Sequence, residues 1–66
     1  MDWDRIAGNW KQLTGKIKAQ WGKLTDDEIT QINGNREMLE GKIQERYGYS
    51  KDQARREIEN WFNRQA

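Results

Sequence analysis

Two stretches decide the fold: GNWKQLTGKI, residues 8–17, and GNREMLEGKI, residues 34–43. They agree in Gly, Asn, Leu, Gly, Lys and Ile at the same steps, 26 positions apart. Working outward, all six glycines fall on two ladders of spacing seven, Gly8, Gly15, Gly22 and Gly34, Gly41, Gly48. Trp21-Gly22 answers to Tyr47-Gly48, Asp26 to Asp52 and Ile32 to Ile58. A repeat of this length reads as one helix–turn–helix unit, which cannot bury its apolar face alone and must pack on its twin. The units run over about residues 8–33 and 34–59. The expectation is an all-α chain, a small four-helix domain of two α-hairpins, forming one domain over residues 1–66.

The first helix carries Trp3, Ile6, Ala7, Trp10, Leu13, Ile17 and Trp21 at spacings of three and four, one apolar stripe over about five turns. Gly22 then stands where a left-handed glycine is expected to close a helix. Thr25 and Glu28 have capping-box spacing, and Leu24 and Ile29 can form a hydrophobic staple around it. Asp26, Asp27 and Glu28 also occupy a first turn, where the helix dipole favours acids. This second helix is short, holds Ile29 and Ile32, and is expected to end at Asn33-Gly34. A third presents Leu39, Ile43 and Tyr47 and stops at Gly48. Ser50 with Gln53 opens a fourth, which carries Ala54, Ile58, Trp61 and Phe62 inward and frays near Ala66. The expected core is therefore Trp10, Leu13, Ile17, Trp21, Ile29, Ile32, Leu39, Ile43, Tyr47, Ile58, Trp61 and Phe62.

Composition limits the chemistry. Among 66 residues there is no cysteine for disulfides or thiolate ligands, and no histidine for zinc or neutral-pH proton transfer. Apolar runs are two residues long, so no membrane span is expected. Charged residues make up 35% of the chain and mean hydropathy is −1.31, which leans toward disorder. Four tryptophans, two tyrosines and a phenylalanine oppose that, since each buries a large area. A folded, marginally stable monomer is the expected balance.

Three features invite a functional reading. The acids Asp26, Asp27 and Glu28 lack the converging loop that a cation site needs, and capping accounts for them. Ser50 has no partner base and is no nucleophile. No catalytic, metal or cofactor residue is expected. The third feature is basic charge: residues 1–24 carry net +3, from Arg5, Lys11, Lys16, Lys18 and Lys23 against Asp2 and Asp4. The pI near 8.0 falls short of the value above about 9 usual for nucleic-acid domains, so nucleic acid is a weaker expectation than a purely structural role.

The glycines need explaining. A helical wheel puts Gly8 and Gly15 about 140–160° from Trp10, on the polar side, and Gly41 likewise opposite Ile43. Glycine within a helix costs about 1 kcal/mol against alanine. Close crossing by another chain segment, a smooth docking strip, or built-in softness of the helices would each account for it. The docking strip would comprise Gly8 and Gly15, with Lys11 and Lys18 on one flank and Lys16 on the other.

At Gly8-Asn9-Trp10-Lys11-Gln12, Gly15-Lys16-Ile17-Lys18 and Gln20-Trp21-Gly22-Lys23-Leu24-Thr25-Asp26-Asp27, the chain resembles the CsbD-like family of small bacterial stress proteins. The second half agrees, at Gly41-Lys42-Ile43-Gln44-Glu45-Arg46-Tyr47-Gly48-Tyr49 and Lys51-Asp52-Gln53-Ala54. The likeness covers nearly the whole chain and is weakest in the first seven residues and the last ten. It implies a cytoplasmic, all-helical protein that accumulates under general, osmotic or stationary-phase stress, without known catalytic residues or ligand. The expected function is thus a non-enzymatic stress-response protein; the competing expectation is a module binding nucleic acid or an acidic partner through the basic first helix.

Overall fold

The computed structural model describes residues 3–65 and is helical throughout its regular structure. Among the described residues there are five helices: α1 (Trp3–Gly8), α2 (Trp10–Gln20), α3 (Asp26–Ile32), α4 (Arg36–Tyr47) and α5 (Lys51–Arg64). The expected fraying near Ala66 lies outside the described residues.

The count is five rather than four because the first stripe is interrupted at Asn9. Its backbone sits at φ −110°, ψ 18°. The Asn9 N–H is shared between the carbonyls of Arg5 and Ile6, at 3.2 Å each, while its side-chain amide donates to Arg5 at 2.9 Å. A short polar side chain competing for the same carbonyl loosens the ladder, and Gly8 beside it offers little resistance. Helical bonding resumes at once, since Gln12 and Leu13 both donate to the Asn9 carbonyl.

The turns follow their local chemistry. Thr25 Oγ1 accepts from the Glu28 N–H at 3.1 Å, and Glu28 Oε1 accepts from the Thr25 N–H at 3.0 Å, so the capping box forms in full. Asn33 and Gly34 end α3 in left-handed conformations, φ 47° and 86°. Asn35 then caps α4 by accepting from Met38, and Ser50 caps α5 by accepting from Gln53. Gly48 closes α4 at φ 71°. Gly22 does not have the expected left-handed backbone: α2 is capped at Trp21, at φ −124° and ψ 73°, and the loop is held by Leu24 N–H on the Trp21 carbonyl.

Apolar faces of all five helices meet in one core. Trp10, Ile17, Trp21, Ile29, Ile32, Leu39, Ile43, Ile58 and Trp61 are buried, joined by Ile6, Leu24 and Ala54. Leu13, Tyr47 and Phe62 are only partly buried and pack on the rim. The aromatic rings join the ends of the chain to its middle. Trp21 and Trp61 lie 5.7 Å apart between centroids, and Trp3 lies 5.8 Å from Phe62 and 6.5 Å from Trp10. Buried indoles need partners for their N–H groups. Trp10 donates to the Ile29 carbonyl at 2.8 Å, and Trp3 to that of Gly34 at 2.7 Å. The Cα radius of gyration, 10.7 Å, matches the roughly 11 Å of a compact chain this long.

Candidate functional site

The first helix surface was the sequence's candidate, and the structure separates its members. Gly8, Lys11, Gly15 and Lys16 are exposed. Lys18 is half-buried, because its Nζ donates to the Leu24 carbonyl at 2.6 Å and so braces the α2–α3 turn. Two open hollows lie between α2 and α3: Thr14, Gly15 and Lys18 face Asp26, Ile29 and Thr30 in one, and Trp10, Lys11 and Thr14 face Thr30 and Asn33 in the other. Lys16 lies on the other side, with Arg64 and Gln65 at the end of α5.

A groove between α4 and α5 has Glu37, Glu40, Gly41 and Gln44 on one wall and Lys51 and Arg55 on the other. Its α4 wall occupies the positions 26 residues on from Lys11, Thr14, Gly15 and Lys18. The middle glycine of each ladder thus stands in a groove wall, Gly15 on α2 and Gly41 on α4.

Close crossing does not account for these glycines. A Cβ added to Gly8, Gly15 or Gly41 would meet no heavy atom of a neighbouring segment within 4 Å. The one tight approach is at Gly34, where a Cβ would lie 2.8 Å from the Ala7 Cα and 2.9 Å from its Cβ. That contact seats α1 over the α3–α4 turn.

Two buried carboxylates escaped the sequence reading. Glu28 and Glu40 are each only 7% exposed. Glu28 Oε2 accepts from Arg46 Nη2 at 2.7 Å and Nε at 3.1 Å, with Lys42 Nζ 3.5 Å away. The Arg46 hydrogen bonds, followed by the Thr25 backbone bond, hold its carboxyl at a pKa of about 2, well below the usual range. The same contact raises the Arg46 pKa, so the guanidinium stays charged. Glu40 Oε1 accepts from Arg55 Nε at 3.2 Å, and Arg36 stands 4.0 Å from Oε2. These pairs tie α3 to α4 and α4 to α5. They are satisfied structural links. Sequence spacing could not show them, because the partners are 18 and 15 residues distant.

Aromatic and basic groups also meet near the α2–α3 turn. Tyr47 stacks on Tyr49 at 5.4 Å, Lys23 Nζ lies 4.9 Å from the Tyr47 ring, and the Lys23 N–H donates to the Tyr47 hydroxyl. Among the described residues no cluster of acids could hold a metal ion, and no helix is long and apolar enough to cross a membrane.

The model of the CsbD-like family matches residues 4–56. A UPF0337 protein of Agrobacterium fabrum is 65% identical over 65 residues, covering 98% of this chain and 97% of its own length. One from Rhizobium meliloti is 68% identical over 65 residues, covering 98% and 94%. The UPF0337 protein YjbJ of Escherichia coli is 61% identical over 64 residues, covering 97% and 93%. With the family model spanning most of the chain and such identity along nearly all of it, this protein belongs to the CsbD-like family.

Proposed function

We propose that this is a non-enzymatic stress-response protein of the cytoplasm, working through its surface and its abundance rather than through a reaction centre. Its folded unit is read as a single domain of two α-hairpins related by the 26-residue repeat. The hairpins are α2–α3 and α4–α5, with α1 as a leading turn of the first.

One observation carries the reading. Gly8, Gly15 and Gly41 are exposed helix positions where an added Cβ would have no atom of another segment within 4 Å. Gly15 and Gly41, in helix interiors, each forfeit about 1 kcal/mol of helix stability, and Gly8, the last residue of α1, less. A 66-residue domain has little stability to spare. Helices softened on their wet side, around a small aromatic core, suit a protein whose order rises as water is withdrawn. Excluded solutes and crowding favour the compact state, weakly per molecule, so the effect requires high abundance. The hydrophilic composition and the absence of histidine and cysteine support the same reading.

The test is protection of a labile enzyme through drying or heating, against an equal mass of an inert globular protein. The expected result is greater recovery of activity with this protein present. Equal recovery would overturn the reading.

A further inference from the structure

α1 differs from the other four helices in how it is held. It has six residues, fewer than the roughly 12–15 that an isolated helix needs in water, so it is helical only while docked. Its joint to α2 is loose. The Asn9 N–H is divided between the Arg5 and Ile6 carbonyls, the Asn9 side chain draws on the Arg5 carbonyl as well, and Gly8 is exposed beside it.

Beyond that joint, the grip of α1 gathers on few groups. Ile6 is its one buried side chain. The Trp3 indole donates to the Gly34 carbonyl at 2.7 Å, Ala7 rests on Gly34, and the Arg36 guanidinium lies 5.4 Å from the Trp3 ring. Trp3 also faces the rings of Trp10 and Phe62. The remaining ties lie elsewhere. Every large side chain less than 2% exposed falls between Ile17 and Ile58, outside α1. So do the links from Glu28 to Arg46 and from Glu40 to Arg55 and the caps at Thr25, Asn35 and Ser50. Trp10 stays fastened to the Ile29 carbonyl without help from α1.

We infer that α1 is a strap, which opens and closes as one unit on a folded body of α2–α5, and that withdrawal of water closes it. Helix formation and docking are one event, because six residues do not hold a helix alone. Opening bares the rings of Trp10 and Phe62 and breaks none of the ties among α2–α5. Closing buries indole and aliphatic surface, and excluded solutes strengthen burial of that kind. The strap itself is independent of the proposed function; only its closure on loss of water rests on that reading.

The experiment is native-state hydrogen exchange of the intact chain, followed by nuclear magnetic resonance in water, in low urea and in sucrose. The amides of Gly8 and Asn9 read the strap, and those of Ile43 and Ile58 read the body. Gly8 and Asn9 should be protected, but at least about tenfold less than Ile43 and Ile58, with a shallower urea dependence because opening exposes little surface. Sucrose should slow them several-fold. Trp3→Ala should abolish their protection while the body stays folded. Protection at Ile43 and Ile58 should then fall by no more than the wild-type protection of the strap. Gly8→Ala combined with Asn9→Ala should instead slow exchange across α1, by carrying regular helix through the joint. One protection level and one urea slope for all four amides would overturn the strap. So would absent protection at Gly8 and Asn9 in water and sucrose alike, or a body that unfolds with Trp3→Ala. Exchange of α1 unchanged by sucrose would overturn closure on loss of water. Recovery of a dried or heated enzyme is scored separately, so a failure of the stress reading leaves these rates as they stand.

Discussion

The Cα of Ala7 lies 2.8 Å from where a Cβ on Gly34 would stand, so α1 rests directly on the bare backbone of the α3–α4 turn. Gly34 also has φ +86°, a conformation that side chains disfavour. Both effects act against any larger residue. Gly34→Ala should therefore destabilise the fold by about 2 kcal/mol or more, lowering Tm by roughly 4–8 °C for each kcal/mol. Thermal unfolding followed by far-ultraviolet circular dichroism measures this. An unchanged Tm would mean that α1 does not seat there.

Trp10 joins α2 to α3 through its indole N–H on the Ile29 carbonyl, in the buried interior. Trp10→Phe keeps most of the ring but removes the donor. The carbonyl then keeps only the longer 3.4 Å bond from Asn33. A loss of about 1–3 kcal/mol is expected, read as a lower urea midpoint with little change in slope. Trp3→Phe should cost less, because its bond to Gly34 is only part-buried.

Glu28 gives the fold an acid-sensitive link. Its folded pKa is depressed from 4.5 to about 2 by Arg46 and the Thr25 backbone. A depressed carboxyl stabilises the folded state in full above its unfolded pKa. That contribution declines as pH falls from about 4.5 toward 2 and is gone below the folded value. Glu28→Gln should thus be less stable than the wild type at neutral pH. The gap should close across that window, as measured by urea unfolding at a series of pH values. A gap independent of pH would show that the charge on Glu28 is not what matters.

Much of this architecture was legible in the chain. The Thr25–Glu28 box and the stops at Gly34 and Gly48 are local, and local rules recovered them. The tryptophan-centred core followed from periodicity. What escaped was set by competition or by distance. The break at Asn9 arises because one side-chain amide and its own N–H both seek the Arg5 carbonyl. The burial of Glu28 and Glu40 depends on Arg46 and Arg55, arginines that no spacing rule links to them. Gly22 carries the same sequence signal as Gly48, yet its helix ends one residue earlier, at Trp21, whose ring is anchored against Trp61. For the candidate surface, the wheel set Lys11 and Lys18 on one flank and Lys16 on the other. It could not show that Lys18 is held by the Leu24 carbonyl, nor that the tight glycine is Gly34 while Gly15 is open.

The outward glycines weaken their helices without packing against another segment. Thermal unfolding of the triple variant Gly8→Ala, Gly15→Ala and Gly41→Ala addresses this most directly. Each added methyl enters open space, and each substitution should return up to about 1 kcal/mol of helix stability. The predicted result is a Tm clearly above that of the wild type, with the helical spectrum unchanged. A Tm equal to or below the wild-type value would contradict it, because those positions would then be serving the packing of the monomer.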